Sequence, residues 1–337
     1  MRLVSGNGPA ATRYIRGPVG MRTTMASPNL PKRFVSFPSP FSCALSAAAA
    51  LFLAGCGSAQ VASAPQRIAL DARPNSVAIA PVNGRIFITD DKTNSVLAST
   101  DGKNFAPYAV IPENPGQPNA LSQVTISSEG TLLAGRFGFG TSGAVLEIGA
   151  DKSVSALTGL DPARRRLGLA SIGPGKLLST WFVKKANAPG TGGVSLITYD
   201  ESTHAASERT LLSGLAKPVG VVVQGDAVFV SDQTNNMILK TSLSGLLNHT
   251  QPGGLHTQVI KINGPDLLAI DTNGTLYTKC NVTAVCRITP DSTVTEVAND
   301  FADARGVALD PTRHLLYVVD RAKAAGEASS LAIIPLN

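Results

Sequence analysis

The side chains able to do chemistry in this chain are few and dispersed. Its four histidines, His204, His249, His256 and His314, lack zinc-ligand spacing, and no Gly-x-Ser-x-Gly elbow occurs. Gly138-Phe-Gly-Thr-Ser-Gly143 has the spacing of a dinucleotide-binding loop, but it joins two apolar runs with no helix to receive a pyrophosphate. It reads as a turn. What does recur is a polar or charged residue at the edge of a short β-branched run. Asn75, Ser122, Leu167, Val219, Asp266 and Arg305 open such runs, and Asp90, Arg136, Trp181, Asp232, Lys279 and Asp320 close the runs that follow. Gathered at one end of a fold, Asn75, Asp90, Trp181, Asp266, Lys279, Arg305 and Asp320 would form a half-polar, half-apolar mouth suited to a small ligand. A structural reading competes: Asp266–Arg305 and Lys279–Asp320 would be ion pairs between neighbouring units. Arg164–Arg166 reads as a solvated loop.

The elements that must position these groups repeat along the chain. Pro218–Leu243 holds three short apolar runs, with a tight turn at Gly225-Asp226 and a polar loop at Asp232–Asn236. Such a meander buries little by itself and needs copies to pack against. First runs begin near 76, 123, 167, 218, 267 and 306, a spacing in the range of propeller blades. Five copies carry a candidate fourth strand, over 105–110, 153–157, 207–212, 256–262 and 293–298. The sixth has none, while Arg67–Asp71 is a strand without a blade. Pairing the two closes the ring and removes an open sheet edge. The expected fold is therefore all-β, a six-bladed β-propeller over 66–337 whose N-terminal strand completes the last blade.

Cys280 and Cys286 flank the turn between the second and third runs of the fifth copy. That spacing suits a hairpin disulfide in an oxidising compartment, and a metal site made of one Cys pair without His partners is disfavoured.

The repeat resembles the six-bladed propellers of the NHL-repeat and SMP-30/gluconolactonase-like group. The likeness is carried by PNSVAIAPVNGRIFITDDKTNSV from Pro74 and PVGVVVQGDAVFVSDQTNNMI from Pro218, each running strand, turn, strand, Asp and Asn-rich loop. It implies that the Asp and Asn organise the loop by side-chain to backbone hydrogen bonds. It also implies lactonases, lyases and plain binders among the functions the fold can carry. Pro265-Asp266 and the residues through Gly274 are similar to the gluconolactonase segment whose first Asp ligates a divalent metal such as Ca²⁺, which would make Asp266 the ligand. The family's Asn stretch corresponds to Pro218-Val219-Gly220, and its Glu has no counterpart at Arg73-Pro74-Asn75. One carboxylate beside Arg305 is a poor cage for a hard dication, so no cofactor is expected.

The N-terminal segment reads as an address. Lys32 and Arg33 precede an apolar stretch over 41–55 that is short for a membrane span. Leu53-Ala54-Gly55-Cys56 resembles the bacterial lipobox, which implies cleavage before Cys56 and lipidation of its thiol. Residues 1–55 would be the signal peptide, with Cys43 lost in it and 1–24 upstream of the translation start. Residues 56–65, small and polar, would be a tether. Gly57 after the lipidated Cys implies the outer membrane, on its periplasmic or surface side, if the envelope is Gram-negative. Six of the 29 basic residues and no acidic one precede Cys56, so the rest of the chain carries 23 of each sign. That balance excludes a nucleic-acid partner. The expected function is a non-enzymatic envelope lipoprotein holding a protein partner or small ligand at the mouth, attached to the membrane by its lipid. A gluconolactonase-like hydrolase or a propeller-class lyase is the alternative.

Overall fold

A computed structural model describes residues 65–184, 190–248, 258–324 and 326–336. The expected signal peptide, Cys43, Cys56 and the tether through residue 64 lie outside them. Strand β1 (Gln66–Leu70) precedes the repeats. Blade 1 comprises β2 (Pro74–Ile79), β3 (Ile86–Asp90), β4 (Ser95–Ser99) and β5 (Ala106–Val110). Blade 2 comprises β6 (Leu121–Ile126), β7 (Leu132–Arg136), β8 (Ala144–Ile148) and β9 (Val154–Ala156). In blade 3 these are β10 (Arg165–Gly173), β11 (Lys176–Val183), β12 (Thr191–Tyr199) and β13 (Ala206–Leu215). Blade 4 has β14 (Pro218–Gln224), β15 (Ala227–Asp232), β16 (Met237–Ser242) and, after helix α1 (Leu243–Asn248), β17 (Gln258–Lys261). Blade 5 has β18 (Ala269–Ile270), β19 (Leu276–Lys279), β20 (Val285–Ile288) and β21 (Val294–Ala298). Blade 6 has β22 (Ala304–Asp310), β23 (Leu315–Asp320), β24 (Ser329–Pro335) and, as its outer strand, β1. The six-bladed propeller and its N-terminal closure are both present.

Each sheet is buried on both faces, so alternate residues of one strand serve two different cores. In β3, Phe87 packs toward blade 2 while Ile86 and Ile88 pack toward blade 6. In β7, Leu132 and Ala134 face blade 1 and Leu133 faces blade 3. This is why the strands read as continuous apolar runs. Six apolar clusters result, one at each junction between neighbouring blades. Helix α1 was not legible in the sequence. Ser242 caps it, its Oγ accepting the Gly245 N–H at 3.0 Å, and Leu246 enters the core between blades 3 and 4.

A repeated hydroxyl ties inner strands together. In blades 1, 2, 4 and 6 the inner strand carries a register shift just after its first residue, and in blade 3 after its second, which leaves an N–H off the ladder. Thr89, Thr180 and Ser231 take that N–H in three blades, from Ser76, Gly168 and Gly220. Each then donates to the next blade, Thr89 and Thr180 to inner-strand carbonyls of Ser122 and Val219, and Ser231 to the Asp266 carbonyl just before β18. All three side chains are fully buried.

The Cys280–Cys286 disulfide is formed, with Cα atoms 5.6 Å apart across the β19–β20 hairpin. It sits in the core between blades 4 and 5.

Candidate functional site

Strand pairing brings the starts of the inner strands and the ends of the second strands to one end of the ring, the mouth. Pro74 pairs with Asp90, Leu121 with Arg136, Arg166 with Trp181, Pro218 with Asp232 and Ala304 with Asp320. Of the residues expected here, Asn75, Asp266, Lys279 and Arg305 join a polar network, and the other three point elsewhere.

Asp90 and Asp320 are buried and serve the backbone. Asp90 accepts N–H groups of Arg73, Lys92 and Thr93. Asp320 accepts those of Ala302 and Asp303, and Asp232 accepts those of Ala216 and Lys217. One carboxylate position thus pins the loop entering its blade three times over, the role implied for the repeat's Asp. Trp181 lies inside blade 3. Its indole N–H donates to Ser195 Oγ at 2.8 Å, and Arg164 stacks over its ring at 4.0 Å.

Arg164–Arg166 is not a solvated loop. Arg166 is fully buried and, with Arg164, holds Glu208 of β13 at 2.8 and 2.6 Å. Burial opposes the charge on Glu208, but the hydrogen bond and charge of Arg166 and the charge of Arg164 win, holding the carboxyl down at about 2. Arg165 lies over the rings of Phe137, Phe139 and Phe182. The long β13 brings the carboxylate that allows this burial, a partner more than forty positions away in sequence.

Two linked clusters make up the mouth. On blades 6, 1 and 2, Arg321 donates to Asn75 Oδ1 at 2.5 Å and pairs with Asp91 at 3.2 Å. Asn75 donates to Asp91 and to the Leu121 carbonyl. Burial raises the Asp91 carboxyl above its usual range against the hydrogen bonds from Leu121, Asn75 and Arg321. On blades 5 and 6, Lys279 pairs with Asp303 at 2.9 Å, and Arg305 with Asp303 at 2.8 Å and Asp266 at 3.6 Å. The Asp266–Arg305 pair is therefore present, while Lys279 selects Asp303 and Asp320 selects Arg67.

Lys217 completes the ring from blade 4, bonded to the neutral Gln233 Oε1 at 2.6 Å. Burial pushes its ammonium down, Asp266 opposes this, and the charges of Arg305 and Lys279 add to it. Burial likewise lowers Arg321, which feels Asp91 and also the like charges of Arg73 and Arg305. Arg73, Lys217, Lys279, Arg305 and Arg321 thus stand with Asp91, Asp266 and Asp303, while Asp90, Asp232 and Asp320 of the same end are taken up by backbone N–H groups and, for Asp320, by Arg67. Among the linked groups two atoms are buried without a hydrogen bond: Asp266 Oδ2 and Arg305 Nε.

Lys217, Asp91, Asp303 and Arg321 were missed from sequence, although each stands one or two positions from a residue that opens or closes a run. The divalent cation implied by the gluconolactonase likeness does not fit. Of the two carboxylates in the matching segment, Asp271 is taken up by the Asn273 and Thr275 N–H groups of the β18–β19 turn, and Asp266 has Arg305 and Lys217 as neighbours. Among the described residues no three His, Cys, Asp or Glu side chains come together as metal donors.

No protein-family model matches the chain, and no curated protein matches it. Solved structures do match in fold. A gluconolactonase from Xanthomonas campestris superposes with a TM-score of 0.61 at 13% identity, over 81% of this chain and 91% of that one. Virginiamycin B lyase from Staphylococcus aureus gives 0.56 at 14% identity, over 81% and 99%. An auxiliary nutrient binding protein from Bacteroides thetaiotaomicron gives 0.54 at 11% identity, over 77% and 69%. The chain shares the six-bladed propeller fold of the gluconolactonase-like and streptogramin-lyase proteins.

Proposed function

We propose that this protein is a non-enzymatic binding propeller of the bacterial envelope, anchored through a lipid on Cys56, whose mouth holds a small anionic ligand. One observation carries the binding reading: Arg305 Nε and Asp266 Oδ2 are buried without a hydrogen bond, Asp266 Oδ2 meeting only Arg305 Nη1 at 3.6 Å, among the cations Lys217, Lys279 and Arg321. Unmade hydrogen bonds of this kind are costly, and a ligand bearing a carboxylate next to a hydroxyl or amine would satisfy a donor and an acceptor side by side. Anionic groups suit the surrounding Lys217, Lys279 and Arg321. The likeness in fold to a nutrient binding protein is in keeping with a binder.

Likeness in fold to a gluconolactonase and a lyase favours a second reading, hydrolase or lyase chemistry at the same mouth. Arg305 beside Asp266 argues against the metal-dependent version.

The envelope reading is tested by fractionating cells that express the full chain. The protein is expected in the membrane fraction, and Cys56→Ser is expected to release it. Native mass spectrometry of the membrane-derived protein should show an anionic small molecule that Arg305→Ala loses. Recovery in the soluble fraction with Cys56 intact would reject the anchor.

A further inference from the structure

At the end of the propeller opposite the mouth, the junction of blades 2 and 3 gathers Glu129, Glu147, Tyr199, Glu201 and His204. Glu129 lies in the turn between β6 and β7, Glu147 on β8, and the others at the end of β12 and in the loop after it. The Tyr199 ring packs into the junction core and is 6% exposed. Its hydroxyl has no close hydrogen-bond partner, the Ser127 side chain being its polar neighbour. Burial and the charges of Glu201, Glu147 and Glu129 push this phenol up to about 12, so its proton stays in place. One Glu201 oxygen, Oε1, is also buried and unbonded. Burial, Glu129, Glu147 and Asp200 all raise the Glu201 carboxyl, and no cation opposes them.

The charges of three carboxylates therefore act on a buried phenol with little compensation. Among the described residues no lysine or arginine pairs with Glu129, Glu147 or Glu201; His204 Nδ1 lies 3.1 Å from Glu147 Oε2. Glu208 nearby on β13 shows the contrast, with two arginines on one carboxylate. We propose that this junction binds a primary alkylammonium group. Such a group offers three N–H donors on a compact charge, which Glu147, Glu201 and the Tyr199 oxygen can accept from different sides. A dication would need its donors to converge, and no three His, Cys, Asp or Glu side chains do so among the described residues. Glu129 is exposed and His204 partly exposed, while Tyr199 and Glu147 are buried.

The ammonium could belong to a free amine or to a lysine side chain, and calorimetry on the full chain separates the two. Probes are 1,4-diaminobutane, N-acetyl-lysine amide, tetramethylammonium and potassium chloride. Binding of either primary amine is expected, weakened roughly tenfold in Glu147→Gln and in Glu201→Gln and a few-fold in Tyr199→Phe. Tyr199→Phe keeps the packed ring, so it reports on the hydroxyl even where a Glu variant fails to fold. Tighter binding of the diamine identifies a free amine as the natural ligand, and tighter binding of the lysine amide identifies a lysine side chain. Absence of amine binding, equal binding of tetramethylammonium or potassium, or affinity unchanged in all three variants would overturn the proposal.

Discussion

Arg67 and Asp320 are separated by 253 residues in the chain, and their side chains meet at 3.1 Å. Arg67 also donates to the Asp300 carbonyl and lies over the Phe301 ring at 4.8 Å. It thereby fastens β1 to blade 6, while Leu70 inserts between blades 6 and 1. Deleting Arg67–Asp71 uncovers β24 and should cost about 4 kcal/mol or more, from lost apolar burial and ladder hydrogen bonds. Arg67→Ala alone should cost about 1–2 kcal/mol, since Asp320 keeps its two backbone donors. Urea unfolding of the truncation at the wild-type midpoint would refute closure by β1.

The hydroxyls of Thr89, Thr180 and Ser231 each serve two blades, so their loss leaves a buried N–H and a buried carbonyl unmatched. Thr180→Val preserves shape and should destabilise by about 1–3 kcal/mol, as should Ser231→Ala. In the double variant the two losses should add to within about 0.5 kcal/mol if the sites act separately, and should fall further from additivity if the ring couples them. Chemical denaturation of the four proteins measures this.

The Cys280–Cys286 bridge closes a loop with a sequence separation of 6. A loop so short restrains the unfolded chain little, and removing the bridge should cost about 2 kcal/mol. Peptide mapping without reduction should find the two cysteines linked in the mature protein, and Cys280→Ala/Cys286→Ala should lower the melting temperature by several degrees.

Glu208 makes stability sensitive to acid. Its folded value of about 2 lies below its ordinary 4.5, so folding favours the charged form. The stabilisation is complete above about pH 4.5 and is lost as pH falls through the folded value near 2. Melting temperature should fall over that window. Glu208→Gln should flatten that dependence, while being less stable at pH 7 because it strips the buried Arg166 of its counter-charge. An identical acid profile in the variant would assign the loss to other carboxylates.

The blade count was legible because two-sided burial writes each strand as an apolar run, and turns such as Asn83-Gly84 and Gly225-Asp226 punctuate it. Closure was legible too, since one strand lacked a blade and one blade lacked a strand. The mouth was legible by position and not by direction. Equivalent repeat positions place Asp90, Lys279 and Asp320 at one end, but whether each side chain turns to the loop or to the channel depends on the backbone beside it. Asp90 and Asp320 face uncapped N–H groups, while Lys279 can cap none and reaches Asp303 instead. Trp181, Arg164 and Arg166 were decided by Ser195 and Glu208 on other strands, and Arg165 by the rings of Phe137, Phe139 and Phe182. Contacts at such separation leave no trace in local composition.

An anion-seeking mouth is the property that most defines this propeller's proposed role, and one titration tests it. Calorimetry of the full-length mature protein compares acetate, lactate, gluconate and inorganic phosphate with calcium chloride, alongside a lactone hydrolysis assay. An organic anion is expected to bind, with affinity reduced about tenfold or more in Arg305→Ala and also reduced in Lys217→Met, and calcium is expected to leave the heat unchanged. Micromolar calcium binding together with lactone turnover, both lost in Asp266→Ala, would contradict the account and make the mouth a metal-dependent active site.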